Sequence, residues 1–237
     1  MFKPDQIEQL LFLDIETAPI APDYASLAPR MQGLWDHKSQ RYQRQDAEKT
    51  PQQLFDEKAG IHAEFAQVVC ISCGYVLFKE NVPSLHLKSY VGPDETQVLA
   101  DFGDMLNKFI SKKEGRSLCA HNGKEFDFPF LGRRYVIRGL PIPYVLRVQG
   151  KKPWEVSFVD TMELWKFGDI KAYTGLDLLA AVLDIPSPKD DMDGSDVARV
   201  FWEEKDYERI RIYCEKDVRT TVQVLLRMSR LPLLDGA

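Results

Sequence analysis

Leu11-Phe12-Leu13-Asp14-Ile15-Glu16-Thr17 is an apolar run that ends in two carboxylates two residues apart. Side chains along a strand alternate between its faces, so Asp14 and Glu16 point the same way from adjacent pleats. Two further acids stand in comparable settings. Asp127 lies in His121-Asn122-Gly123-Lys124-Glu125-Phe126-Asp127-Phe128-Pro129. Pro129 is tolerated only within the first turn of a helix, so Asp127 sits where a loop becomes helix. Asp217 follows Tyr213 by four residues in Tyr213-Cys214-Glu215-Lys216-Asp217, which puts both on one helix face. If the four acids converge, they repel one another strongly unless cations sit among them. That cost gives the cluster the character of a metal site.

Around these segments the chain alternates between strand and helix signals. A first strand covers about 10–15. Residues 20–62 then break the pattern, being polar, rich in Gln, Lys and Arg, and poor in apolar periodicity. Within them Thr50-Pro51-Gln52-Gln53 reads as a helix start, with Thr as cap, Pro at the first position and Gln closing a capping box. An insertion this long either folds over the active site as a lid or substrate guide or is peripheral decoration. Strands at about 66–79 and 84–91 are joined closely enough to be an antiparallel pair. Asp94-Glu95-Thr96-Gln97 caps a helix in which Val98, Leu99, Phe102, Met105, Leu106 and Ile110 recur at helical spacing. Ser117-Leu118-Cys119-Ala120 is a short strand leading to Asp127, whose helix runs to Arg138 and stops at Gly139. Ser157-Phe158-Val159-Asp160 is a last strand, followed by helices around 161–167, 175–183, 194–202 and 205–228. This order predicts an α/β fold: a ribonuclease-H-like mixed five-stranded sheet flanked by helices, with an insertion after the first strand, in one domain over residues 1–237. Ligands of open α/β sheets gather beyond the carboxyl ends of strands, where this reading puts Asp14 and Glu16.

The order and local form of the acidic segments resemble the DEDDy branch of the DnaQ-like 3′–5′ exonucleases. Asp14 and Glu16 look like that family's Asp-x-Glu, and Asn122, Phe126 and Asp127 like its Asn-x-x-x-Phe-Asp. Tyr213 and Asp217 look like its Tyr-x-x-x-Asp; the sister branch places a histidine where this chain has Ile212. The wording Phe-Asp-x-Pro-x-Leu at 126–131 is similar to the proofreading domain of B-family DNA polymerases, and a group of small predicted exonucleases without a polymerase fits the length. The resemblance runs from about residue 8 to about 228. It implies a metal-dependent 3′–5′ exonuclease that hydrolyses single-stranded DNA with two ions, Mg²⁺ or Mn²⁺. In that scheme Asp14 touches both ions, Glu16 and Asp217 complete the ion on the nucleophile side, and Asp127 holds the other. Tyr213 orients the attacking water or the scissile phosphate, while Asn122 and Phe126 contact substrate. Two rivals remain, the same chemistry on RNA and a catalytically silent nucleic-acid-binding module. Motif residues do not report contacts to the 2′-hydroxyl.

Composition sets the remaining bounds. With 237 residues, 44% hydrophobic and 28% charged, the chain can bury a core of its own and is not globally disordered. No apolar stretch is long enough to span a bilayer, and acids interrupt any signal-peptide pattern at the N-terminus, so the expected location is cytoplasmic, away from membranes. The net charge of −5 opposes a nucleic-acid partner. Its distribution softens that objection, because 128–154 lacks acids and holds Arg133, Arg134, Arg138, Arg147, Lys151 and Lys152. Tyr135, Tyr144 and Trp154 are interleaved, as on a single-strand track, and Arg133 and Arg134 are the expected substrate contacts. The alternative is a solvated helix face with its rings turned inward. Cys70 and Cys73, three apart on a strand, face opposite ways and read as buried thiols, as do Cys119 and Cys214. His121 reads as a hydrogen-bonded neighbour and Asp160 as a helix cap. The acids Asp190, Asp191, Asp193 and Asp196 read as a solvated loop rather than a calcium site.

Overall fold

The computed structural model describes residues 1–169, 171–186 and 192–235. Its strands are β1 (Leu10–Pro19), β2 (Ala66–Lys79), β3 (Val82–Val91), β4 (Ser117–Ala120) and β5 (Val159–Asp160). Its helices are α1 (Pro4–Ile7), α2 (Pro29–Gln43), α3 (Pro51–Lys58), α4 (Glu95–Ser111), α5 (Asp127–Ile137), α6 (Thr161–Lys166), α7 (Leu176–Val182), α8 (Val197–Arg199) and α9 (Tyr207–Met228). The strands form one mixed sheet in the order β3-β2-β1-β4-β5. β1, β2 and β3 pair antiparallel, while β4 and β5 run parallel to β1. This is the ribonuclease-H-like architecture, with an insertion after the first strand.

Alternation along β1 divides the molecule into two layers. Leu11, Leu13 and Ile15 pack into the core beneath α4 and α5, with Phe102, Leu106, Phe130 and Leu131. Leu10 and Phe12 face the other way, onto Val218, Val222, Leu225 and Leu226 of α9. Each buried residue of this size contributes about 1.5–3 kcal/mol, so both faces hold β1 in one register. Cys70 and Cys73 fall into cores on opposite sides of the sheet, as their spacing requires, and all four cysteines are buried and free.

Three segments depart from the sequence reading. β1 runs four residues beyond the expected 10–15, because the 14-residue β2 keeps pairing with it as far as Pro19. Asp14 and Glu16 are therefore interior to the strand rather than at its end. β5 is only two residues long, because Asp160 turns the chain directly into α6. The polar insertion forms two helices around a small core of its own. There Trp35 is fully buried against Phe55 and Phe65, and its indole N–H donates to the Pro51 carbonyl at 2.8 Å. The Thr50–Gln53 capping box and Pro51 open α3 as expected.

Two residues of the basic stretch have structural work. Arg134 is 2% exposed and makes a two-pronged ion pair with Glu95, at 2.8 and 2.6 Å, while also donating to the Ala63 carbonyl at 2.7 Å. Glu95 in turn accepts from Arg138 and from the Val68 backbone. The guanidinium thus ties α5 to α4 and to the segment before β2 and is not available to a phosphate, which corrects the expectation of a substrate contact. Tyr135 is likewise core, its hydroxyl donating to the Leu99 carbonyl at 2.6 Å. Arg133 is exposed, as are Tyr144 (74%) and Trp154 (78%), with Lys152 over the Trp154 ring. No helix among the described residues is long and apolar enough to cross a membrane.

Candidate active site

On the α9 face of β1, the row that begins with Leu10 and Phe12 continues as Asp14 and Glu16. Glu16 stands opposite Cys70 of β2, and the register shifts between Glu16 and Thr17. Bulges of this kind re-aim side chains beside functional clefts. Glu16 is buried and Asp14 half-buried. α9 crosses above them, held by a polar row along the sheet. Ser72 meets Ser89, and Ser89 donates to Glu215 of α9 at 2.6 Å. Cys214 donates its thiol to the Asp14 carbonyl at 3.4 Å and to its carboxylate at 3.5 Å. Asp14, Glu16 and Cys214 offer ligand atoms within 4.8 Å of one another. Sequence reasoning missed Cys214 as a neighbour, since only the helix register shows that it faces the acids.

Asp127 arrives from the other edge of β1. The β4 ladder with β1 covers only Leu10 to Phe12, so the Ile15 N–H beyond it has no strand to bond on that side. The Asp127 carboxylate accepts that N–H at 3.2 Å. The turn before it is tight. Asn122 adopts φ 61°, and a side chain at Gly123 would collide with that of Ala120. Asp160 organises this turn: its carboxylate accepts from the backbone of Asn122 and Lys124, and also caps α6 through Met162 and Glu163. The cap was legible in the sequence, but the link to the turn was not. Asp160→Ala would leave the buried Met162 N–H and three part-buried N–H groups without this acceptor, at about 1–3 kcal/mol. A denaturant midpoint shifted down, together with weakened metal binding, is the expected outcome. Weakened metal binding without lost stability would contradict this role.

The four acids feel one another. Burial pushes the Asp14 carboxyl well above the usual range, helped by the charges of Glu16, Asp217 and Asp127. Glu16 is likewise raised, by burial, then by Asp217, Cys70 and Asp127. Asp127 is pushed up to about 7, chiefly by burial, against the lowering effect of its own and Ile15's N–H groups. Tyr213 sits half-buried among the same charges, and its hydroxyl is raised by burial and then by Asp217, Glu16 and Asp14, so it stays protonated at neutral pH. Among the described residues no hydrogen bond engages that hydroxyl. The site thus brings Asp14, Glu16, Asp127, Asp217 and Tyr213 together. Carboxylate oxygens are the donors a hard divalent cation takes, and such a cation would relieve this repulsion.

The other expected site residues lie around this group. Phe126 is half-buried against Phe130, and Asn122 is half-buried with its side-chain oxygen enclosed and unpaired. Arg133 is on the exposed side of α5, and Arg134 is inside. His121 bonds Thr161 and the Thr174 carbonyl, as a packed neighbour does. Asp193 and Asp196 make ordinary turn and ion-pair contacts, and Asp190 and Asp191 lie outside the described residues. A groove of about 830 Å³, lined by Cys73, Tyr90 and Phe109 among others, opens on the α4 side of the sheet and holds none of the four acids.

Residues 61–233 match a family described as a predicted 3′–5′ exonuclease related to the exonuclease domain of PolB. The chain belongs to this family. The matched range contains Asn122, Asp127, Tyr213 and Asp217 but begins after β1, so the structure is what adds Asp14 and Glu16 to them. Among solved structures, the chain is similar to the family B DNA polymerase of the hyperthermophilic archaeon Pyrobaculum calidifontis. The TM-score is 0.56 at 17% identity, over 92% of this chain and 24% of that one. The chain therefore spans about a quarter of the polymerase, and the likeness is one of fold. A looser likeness, TM-score 0.43 at 11% identity over 95% of this chain and 80% of the other, is to the RNase domain of the yeast Pop2 protein. No curated protein matches the sequence.

Proposed function

We propose that this member of the exonuclease family is a 3′–5′ exonuclease that hydrolyses single-stranded DNA using two divalent metal ions. The observation that carries the reading is the convergence of Asp14, Glu16, Asp127 and Asp217, which raise one another's affinity for protons. DNA is favoured over RNA because the family is described by its relation to a DNA polymerase domain. Asp14, Glu16, Asp127 and Asp217 would hold Mg²⁺ or Mn²⁺, which when bound supplies an activated water and neutralises charge on the departing oxygen. The chain's own groups do the positioning. The Cys214 thiol, kept neutral mainly by burial, fixes the Asp14 carboxylate. The Ile15 N–H fixes Asp127. Tyr213 presents a protonated hydroxyl as a donor toward the water or the scissile phosphate.

The test is digestion of 3′-labelled DNA and RNA single strands side by side, with Mg²⁺ or Mn²⁺ and with EDTA. Release of labelled mononucleotide from DNA, abolished by EDTA, is the expected result. Preference for RNA would reassign the substrate, and no release from either would leave a binding module.

The same electrostatics predicts a pH dependence of stability. The folded protein holds protons on these carboxyls that the unfolded chain releases near pH 4, so metal-free stability is lost as pH rises from about 4 to about 7. His62, pushed down to about 4 mainly by burial, opposes this trend below its ordinary range. The comparison therefore needs Asp127→Asn, which keeps His62 and removes one of the raised acids. In EDTA, wild type should gain more melting temperature than Asp127→Asn on moving from pH 8 to pH 5.5. Mn²⁺ should stabilise wild type more at pH 8. Identical pH responses in the two proteins would mean that the fold does not raise the Asp127 carboxyl.

A further inference from the structure

Helix α2 of the insertion carries a feature that the metal site does not use. Arg30, His37, Arg41 and Arg44 recur at intervals of seven, four and three residues, which places them within an arc of about 60° over roughly 21 Å. All four are exposed, while the opposite face buries Trp35 and Ser39. The one acid on the helix, Asp36, lies off this stripe and accepts from the Tyr24 hydroxyl at 2.7 Å. Among the described residues no carboxylate forms an ion pair with Arg30, Arg41, Arg44 or Arg133. In a chain of net charge −5, such a stripe is a local reversal of sign.

Its position ties it to the acids. The Thr17 hydroxyl, next to Glu16, donates to the Gly60 carbonyl, and the Ile20 N–H donates to the Phe65 carbonyl. Arg134 of α5 grips the Ala63 carbonyl. The root of the insertion is thus clamped to the strand that carries Asp14 and Glu16 and to the helix that carries Asp127. His62 joins the two sides: it bonds the Tyr42 hydroxyl at 2.7 Å, Arg41 lies over the Tyr42 ring, and His62 feels the charges of Lys38, Arg41 and Arg133. Arg41 and Arg133, from different elements, therefore share one surface, on which Glu64, paired with Lys38 at 3.7 Å, is an acid among these cations. Arginine presents a planar fork suited to phosphate oxygens.

We propose that the exposed face of α2, with Arg133 of α5, binds the phosphate backbone of the single strand on its way to the carboxylate cluster. This rests on the exonuclease reading and gives the insertion the part of a substrate guide. The stripe is long enough for several consecutive phosphates and touches no reacting atom.

The test compares wild type with Arg41→Glu/Arg44→Glu, after melts show both are folded. Binding of fluorescent dT20 in EDTA should weaken at least about tenfold at low salt. The log–log salt slope should become shallower by about 0.7 for each phosphate that the variant no longer neutralises. Hydrolysis of the p-nitrophenyl ester of thymidine 5′-monophosphate with Mn²⁺, a substrate too short to reach α2, should be unchanged. Equal affinity and slope in the two proteins would overturn the proposal. So would an equal loss on the short substrate, or competition by polyglutamate as effective as by unlabelled dT20. Wild type that binds dT20 through these arginines but hydrolyses neither substrate would uphold the track and sink the exonuclease reading instead.

Discussion

Asp14→Ala abolishes turnover while the melting temperature holds or rises. Burial first, and then Glu16, Asp217 and Asp127, raise the cost of a charge on Asp14. Removing it relieves repulsion in the metal-free protein and deletes a carboxylate of the proposed metal site. Metal-ion stabilisation of the transition state is worth several kcal/mol, so the rate should fall by roughly 10³-fold or more. The fold has other supports here, since Leu13 and Ile15 anchor β1 on the opposite face and the Cys214 thiol keeps the backbone carbonyl of residue 14 as an acceptor. Asp14→Asn, which preserves shape, separates charge from packing. Turnover by folded variant close to the wild-type rate, with unchanged metal dependence, would move the metal centre elsewhere. A large drop in melting temperature in both variants would mean that the carboxylate is structural.

The sequence disclosed chemistry wherever a residue's type and its local period were enough. Asp14 and Glu16 share a face because a strand has period two, and Tyr213 and Asp217 share one because four residues are about a helical turn. The caps at Thr50 and Asp94 are short-range hydrogen bonds, and both form as read. What stayed hidden depends on long-range placement. Arg133 and Arg134 are adjacent and identical in type, yet one faces solvent and the other is locked to Glu95, 39 residues away. Charge counting cannot tell them apart. Cys214 looked solitary until α9 docked across β1 and set its thiol on Asp14. The insertion looked coreless because its core is gathered from scattered residues, among them Leu27, Trp35, Leu54 and Phe55, that follow no single helical period. The added length of β1 was likewise a property of its partner, not of its own residues. A strand continues for as long as a neighbour offers it hydrogen bonds.

Tyr213→Phe should lower turnover by about 10²–10³-fold while leaving stability and metal binding nearly unchanged, by analogy with the loss of other transition-state donors. The substitution keeps the ring, which packs at the edge of the cluster formed by Cys70, Ile210 and Cys214, and removes only the hydroxyl. That hydroxyl bonds nothing among the described residues, so its loss breaks no structural hydrogen bond. Its surroundings also fix its chemical form. Burial and the charges of Asp217, Glu16 and Asp14 hold it protonated, which makes it a donor rather than a base at neutral pH. Left unbonded among the described residues, this donor is placed to serve a phosphate or an attacking water that enters the site. If Tyr213 were instead an ordinary packing residue, turnover per folded molecule would survive. A melt and a single-turnover rate on the same sample separate the outcomes. Unchanged rate with unchanged stability would remove Tyr213 from the mechanism, and lost stability with preserved rate would make it a core residue. A fall in rate that excess Mn²⁺ fully restores would show the hydroxyl acting through metal affinity and not on the reacting phosphate.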